Sequence, residues 1–147
     1  MKCISWSCPW QVAHSIDAPP FAFGPLRAGE RQSWLFALPG NPVAALVCGR
    51  LFLAPLLARM QGLDSAGATE AFPACVDSLL PSGDGRETYL RGALFMRNGK
   101  VLVRASAGQD SANLSSFAAS NILIARAPYS SPAAAGDLVR CLSWLPR

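Results

Sequence analysis

The chain has a single histidine, His14, and no Cys-x-x-Cys pair, so no zinc site of the usual spacing can be completed. It also lacks any stripe of lysine and arginine with aromatics between them. The net charge of +4 is carried by scattered residues, which excludes an evident nucleic-acid footprint. A weakly basic surface of this kind is compatible with small anions but does not demand them. After Met1-Lys2 no apolar core long enough for a signal peptide follows. The apolar run Pro42 to Ala58 is interrupted by Arg50, contains Pro55 and is short for a membrane span, so it reads as a buried helix. Five cysteines, Cys3, Cys8, Cys48, Cys75 and Cys141, are odd in number and widely spread. Cys48 and Cys141 lie in apolar runs and are expected as buried free thiols, in a reducing, cytoplasmic setting. General disorder is excluded as well, because 51% of the 147 residues are hydrophobic and supply ample core.

What is present centres on Trp34 to Val47. The stretch begins as a short apolar run of strand type, breaks at Pro39-Gly40-Asn41 and restarts at Pro42 as a long apolar helix. Asn41 is a good N-cap, because its side-chain oxygen can accept a free amide of the first turn. Pro42 suits the first helical position, where its missing N–H has no partner to lose. Gly40 permits a turn that a Cβ would resist and leaves room for close approach. A strand, a tight turn and a helix N-terminus together form an anion site, since amides and helix dipole both point outward. The same residues also read as an ordinary β–α connection with a good cap.

Around this stretch, Trp10 to Ala13 alternates like a strand, and His14 to Pro20 is a loop by composition. Phe21 to Gly24 continues as strand, Arg27 to Gln32 forms a polar turn centred on Gly29, and Trp34 to Leu38 is the strand entering the capped turn. The helix from Pro42 to about Gln61 is apolar on nearly every face and is expected to be covered on most sides. Pro55 should kink it, and Gly62 should stop it. Ser65 to Thr69 marks a linker, after which the pattern changes to short strands. These are Ala74 to Leu80, Glu87 to Arg97, Lys100 to Ser106, Asn121 to Ala125 and Leu138 to Leu142. Asn98-Gly99 is a strong two-residue hairpin signal, and Tyr89, Arg91, Ala93 and Phe95 share one strand face. Pro81 to Gly85 and Pro128 to Pro132 read as loops, and Ser111 to Ala119 as a polar turn with a short helix. Several short strands separated by turns predict a small β-barrel or sandwich.

Leu38-Pro39-Gly40-Asn41-Pro42-Val43-Ala44-Ala45-Leu46 resembles the LPGNPVSA signature of the molybdopterin molybdenumtransferases, the MoeA and gephyrin E-domain family. Trp10-Gln11-Val12-Ala13 and Pro20-Phe21-Ala22-Phe23-Gly24 resemble that family's W-K-V-A-x-K-P-G-K-P-F-A-F-G segment. Gly108 to Asn121 and Ala135-Gly136-Asp137 fall where the family has its G-x-x-S-x-x-x-S-S stretch and its closing A-G-D. The resemblance is collinear from about Trp10 to Leu142.

The resemblance implies an α/β remnant over residues 1–62, namely the last strands and a helix of a pterin-binding domain. A linker over 63–72 and a small, mostly-β, barrel-like C-terminal domain over 73–147 follow. It implies insertion of molybdate into adenylylated molybdopterin with Mg2+, releasing AMP, in a homodimeric, cytoplasmic enzyme with no nucleic-acid or membrane partner. Metal insertion of this kind needs anion cradles and a divalent cation rather than a covalent nucleophile. By the same resemblance Gly40, Asn41, Pro42 and Ser15 would line the pterin phosphate site, and Arg91, Ser115 and Ser116 the molybdate site. A guanidinium suits an oxyanion, but the plain reading of these three is a solvated arginine on a hairpin and ordinary loop serines.

The sequence also departs from the family pattern. Two loop lysines of the family are replaced: Ser15 stands near the first, and Ala18 or Pro19 near the second, with His14 and Asp17 close by. Each charge-assisted hydrogen bond is worth roughly 1.5–3 kcal/mol, so their loss should cost several kcal/mol of anion binding. The acidic Mg2+ ligands and the dimerising segment have no counterpart. The chain therefore reads as a C-terminal fragment acting only with its missing part, or as a degenerate, non-catalytic binding or interaction module. A third reading is a self-standing small β-domain in which the first 62 residues are decoration.

Overall fold

A computed structural model describes residues 22–28, 31–63, 70–109 and 114–144. The expected Trp10 strand, the His14 loop with Ser15 and Asp17, and residues 64–69 of the linker lie outside the described residues. The first element among the described residues is an antiparallel hairpin, β1 (Ala22–Ala28) and β2 (Arg31–Ala37), in register from Ala22 opposite Ala37 to Ala28 opposite Arg31. Both strands run further into the Arg27 to Gln32 segment than its polar composition suggested, since cross-strand pairing, not polarity, ends them. Phe23 stacks on Trp34 at 5.2 Å between ring centroids, and Phe36 lies against Phe23 at 5.8 Å.

The helix that follows is built in three parts: α1 (Pro42–Cys48), a π-helical turn (Gly49–Leu53) and α2 (Ala54–Met60). The wide turn lies directly before Pro55. A proline lacks an amide and its ring crowds the carbonyl four residues back, here Leu51 within the wide turn, where the ladder has shifted to a longer bond from the Ala54 amide to the Gly49 carbonyl. Gly62 ends the helix at a φ of 75°. The expectation of a helix covered on most sides holds only for its first half. Val43, Ala44, Val47 and Cys48 are buried, whereas α2 has no buried residue and leaves Leu57 and Met60 exposed. The reason is reach: among the described residues, the apolar cluster on the barrel surface takes in Val43, Val47 and Leu51 of the helix. Because the helix continues through Arg50 and Pro55, its 19 residues are by length and composition alone enough to cross a membrane, against the expectation of too short a run. Its α1 half is packed on protein instead.

Five strands close a barrel in the order β3, β5, β4, β6, β7. They are β3 (Ala71–Val76), β4 (Thr88–Arg97), β5 (Lys100–Ala105), β6 (Ile122–Arg126) and β7 (Leu138–Ser143), with the short α3 (Leu114–Ala118) between β5 and β6. Only β3 and β5 run parallel; the other neighbours are antiparallel. Asn98 and Gly99 both take positive φ, 51° and 72°, the backbone a two-residue hairpin turn needs. The first strand differs from its expected Ala74 to Leu80 range. It starts at Ala71 and ends at Val76, because Asp77 turns out to meet two arginines, while Leu80 forms a separate bridge with Ala133. Pro73 is tolerated because β5 joins β3 only from Cys75 onward, leaving Pro73 on a locally open edge.

The barrel interior is filled by Val76, Leu80, Val103, Ile122, Ile124 and Cys141, all 2% exposed or less. Gly92 is required by packing: a Cβ there would lie 2.7 Å from the Arg104 carbonyl oxygen. A second apolar cluster lies outside the barrel, where Leu123, Ala125 and Leu142 meet Val43 and Val47 of α1. Strand β6 is thus buried on both faces, and all five of its residues are buried. This accounts for the unbroken apolar run Ile122 to Ala125 where a one-sided strand would alternate.

Candidate functional site

The capped turn forms as its residues dictate. Asn41 sits in extended backbone, and its Oδ1 accepts the amides of Val43 at 3.1 Å and Ala44 at 3.2 Å. Two of the helix's free amides are therefore satisfied by the cap itself. Gly40 is not required sterically, since a Cβ there would meet nothing within 4 Å and its φ is not positive. The strained turn expected at Gly40 is absent, because Asn41 and Pro42 alone start the helix; what Gly40 leaves is open space.

The barrel register brings the other expected residues to the same side of the molecule. Tyr89 lies opposite Ala125 and Arg91 opposite Leu123, and directly opposed residues share a sheet face. That face is the one on which α1 packs, and Phe117 of α3 and Trp144 pack there too. Phe117 and Trp144 meet edge-on at 4.4 Å, the Trp144 indole N–H donates to Ser120 Oγ at 3.2 Å, and that hydroxyl donates to the Phe117 carbonyl at 2.7 Å. The capped helix, the Ser115–Ser116 helix and the Arg91 strand therefore border one patch.

Arg91 is 2% exposed, which removes the reading of it as a solvated hairpin arginine. One of its guanidinium nitrogens, Nη2, donates to the Gly108 carbonyl at 2.9 Å. Gln109 clamps the same position: its Oε1 accepts the Arg91 amide at 3.0 Å, and its Nε2 donates to the carbonyls of Arg91 at 3.0 Å and Ser106 at 2.9 Å. Ser115 is exposed, and its carbonyl accepts the Ala119 amide. The Ser116 side chain, Ser15, His14 and Asp17 lie outside the described residues.

Burial, followed by the Glu87 carboxylate, raises the Tyr89 hydroxyl above its ordinary range, with Arg140 opposing. Burial lowers the pKa of Arg50, whose Nε donates to the Ser143 carbonyl at 2.9 Å and ties the helix to the end of β7.

Sequence reasoning missed Gln109 and Asn121. Asn121 stands in for a missing strand, its Oδ1 accepting the Leu94 amide at 2.7 Å and its Nδ2 donating to the Leu94 carbonyl at 3.2 Å. Both side chains act across long sequence separations, and no local motif signals them. Beside α3 a cavity of about 370 Å³ opens at the barrel end, lined by Phe72, Leu94, Ile122, Trp144 and the polar Ser120, Asn121 and Ser143.

Residues 75–144 match the family model of the MoeA C-terminal region, domain IV. The chain is similar to the C-terminal portion of the MoeA family. It is 32% identical over 131 residues to the molybdopterin molybdenumtransferase of Haemophilus influenzae, covering 88% of this chain and 31% of that protein. The chain thus spans about a third of the length of that curated relative. Among solved structures, the molybdopterin biosynthesis moeA protein of Pyrococcus horikoshii OT3 superposes with a TM-score of 0.68 at 22% identity, over 93% of this chain and 32% of that one. A molybdenum cofactor biosynthesis protein from Pyrococcus furiosus gives 0.60 at 23%, over 87% and 42%. These likenesses show the fold. For the Mg2+ that the MoeA resemblance implies, the described residues contain no group of three or more His, Cys, Asp or Glu able to hold a metal ion. They do not fit that ion, and no step through it follows from them.

Proposed function

We propose that this chain serves as the C-terminal portion of a molybdopterin molybdenumtransferase and supplies part of an oxyanion-binding surface for molybdate and adenylylated molybdopterin. The observation that carries the reading is the shared patch. The LPGNPV helix, α3 and the outward face of β4 converge on Leu123, Ala125 and Leu142, although Asn41, Arg91 and Ser115 are far apart in sequence. A buried guanidinium at its border is a strong oxyanion partner when it swings from a carbonyl to a ligand. The turn at Gly40 leaves open space in front of a helix start. Chemistry would then require the part of the relatives that this chain does not span, which is where the metal's acidic ligands and the missing lysine charges would have to come from.

A second reading, a non-catalytic binding module, is supported by Ser15 and Ala18 or Pro19 standing where the family has lysines, and by the two cap amides already held by Asn41. One experiment separates the two. The purified chain is titrated with molybdate by calorimetry, then mixed with the complementary N-terminal portion of the Haemophilus relative and assayed for molybdenum cofactor formation. Restored formation only in the mixture supports the first reading. Molybdate binding without restored formation supports the second, and cofactor formation by this chain alone overturns both.

A further inference from the structure

We propose that the outward face of the β4–β5 hairpin is a docking surface for a short acidic segment of another protein. It continues the outward face of β4 beyond Arg91, with Arg97 six residues further along the strand, and does not depend on the function proposed above. The register places Ala93 opposite Arg104, Phe95 opposite Leu102 and Arg97 opposite Lys100, so Arg97, Lys100 and Arg104 share one face. All three are exposed, the arginine side chains by 52% and 53%. Asp77 is the one acid that meets them among the described residues, and it is nearly covered, at 8%. Its carboxylate accepts from Arg97 Nη1 at 2.7 Å and from Arg104 Nε at 2.8 Å, and Arg104 Nη2 donates to it too. Three cations against one carboxylate leave an excess of two positive charges.

The cations are also pre-positioned. Both guanidinium carbons lie 5.4 Å from the Phe95 ring centre, so the ring and Asp77 fix two side chains that would otherwise lose rotamer freedom on binding. A guanidinium has five donors in a rigid fork. Arg97 spends one on Asp77 and Arg104 two, and outward-facing donors remain for incoming carboxylates. The chemistry that fits is a run of two or three Asp or Glu residues. A nucleic acid fits less well, because base stacking needs an open aromatic and Phe95 lies beneath the guanidinium groups.

The test uses the full chain and a fluorescein-labelled hexapeptide with three consecutive glutamates flanked by serine and glycine, read by fluorescence anisotropy in 50 mM salt. The variant Arg97→Gln/Lys100→Gln removes two cations while leaving the Arg104–Asp77 pair that holds the end of β3. Circular dichroism is therefore expected to be unchanged. Saturable binding, weakened at least tenfold by the double variant and by 300 mM salt, is the expected result. Absence of binding, or binding that the double variant does not change, overturns the proposal. So does tighter binding of a single-stranded oligonucleotide of equal charge, which would mark the face as a phosphate-backbone surface.

Discussion

Replacing Arg91 by methionine separates a structural arginine from a ligand arginine. The change keeps an unbranched apolar stem and removes the guanidinium. The parent residue is 2% exposed and donates to the Gly108 carbonyl at 2.9 Å. A hydrogen bond from a charged donor contributes about 1.5–3 kcal/mol. Part of that is returned, because an apolar replacement avoids the desolvation of a buried charge. A net loss of about 2 kcal/mol is expected. For a unit of 60–100 residues each kcal/mol moves the midpoint by roughly 4–8 °C, so Tm should fall by about 8–16 °C.

The control is Gln109→Ala, which releases the 106–109 loop from the Arg91 backbone while keeping the guanidinium, and should cost about 1–2 kcal/mol. Urea unfolding followed by far-UV circular dichroism measures both, and molybdate calorimetry is run on each folded variant. Stability of Arg91→Met within about 0.5 kcal/mol of the parent, the range of an unremarkable surface change, would refute the clamp. If Arg91 also binds the oxyanion, only Arg91→Met should abolish molybdate binding. Equal loss in both variants would assign the effect to the loop.

Asn41→Ala removes the acceptor of two cap bonds and should cost about 1 kcal/mol, while Asn41→Asp should be neutral or stabilising, both read from urea midpoints. Gly92→Ala places a methyl 2.7 Å from the Arg104 carbonyl oxygen and 3.1 Å from Ile124 Cδ1, so thermal unfolding should show a loss of about 1–3 kcal/mol. The Cys141 thiol is raised by burial to about 11 from an ordinary value of 9.0. Between those two pH values the unfolded chain loses the proton and the folded chain keeps it, so stability should fall by up to about 1.4 kcal/mol per pH unit as pH rises. Comparing urea midpoints from pH 8 to 11 with those of Cys141→Ala isolates the effect, since the variant should show a smaller slope.

The barrel was legible because its signals are local. Asn98-Gly99 sets its own turn, and the alternation Tyr89, Arg91, Ala93, Phe95 needs only the pleat to predict a shared face. The capped turn was legible for the same reason, since Asn41 bonds to amides two and three residues away. What stayed hidden depends on partners distant in the chain. The end of β3 is decided by Arg97 and Arg104 reaching Asp77 across 20 and 27 positions. The burial of Arg91 is decided by a loop 17 positions on. A window of ten residues never contains both halves of such pairs.

The helix shows how the same limit bears on function. Its composition is apolar on all sides, which by itself predicts burial on all sides, yet burial is set by how much surface the rest of the chain can offer. The barrel offers Leu123, Ala125 and Leu142, enough for Val43 and Val47 but not for Leu57 or Met60. The apolar side of α2 therefore carries composition suited to more covering than the described residues provide. A chain spanning 31% of its relative is where such a mismatch is expected, because sequence patterning reflects every layer a helix packs against. The mismatch falls on α2, not on the capped turn or Arg91. The part of the proposed oxyanion surface formed by α1, α3 and β4 is built from elements that this chain packs together, and so it is the part of the function to test first on this chain alone.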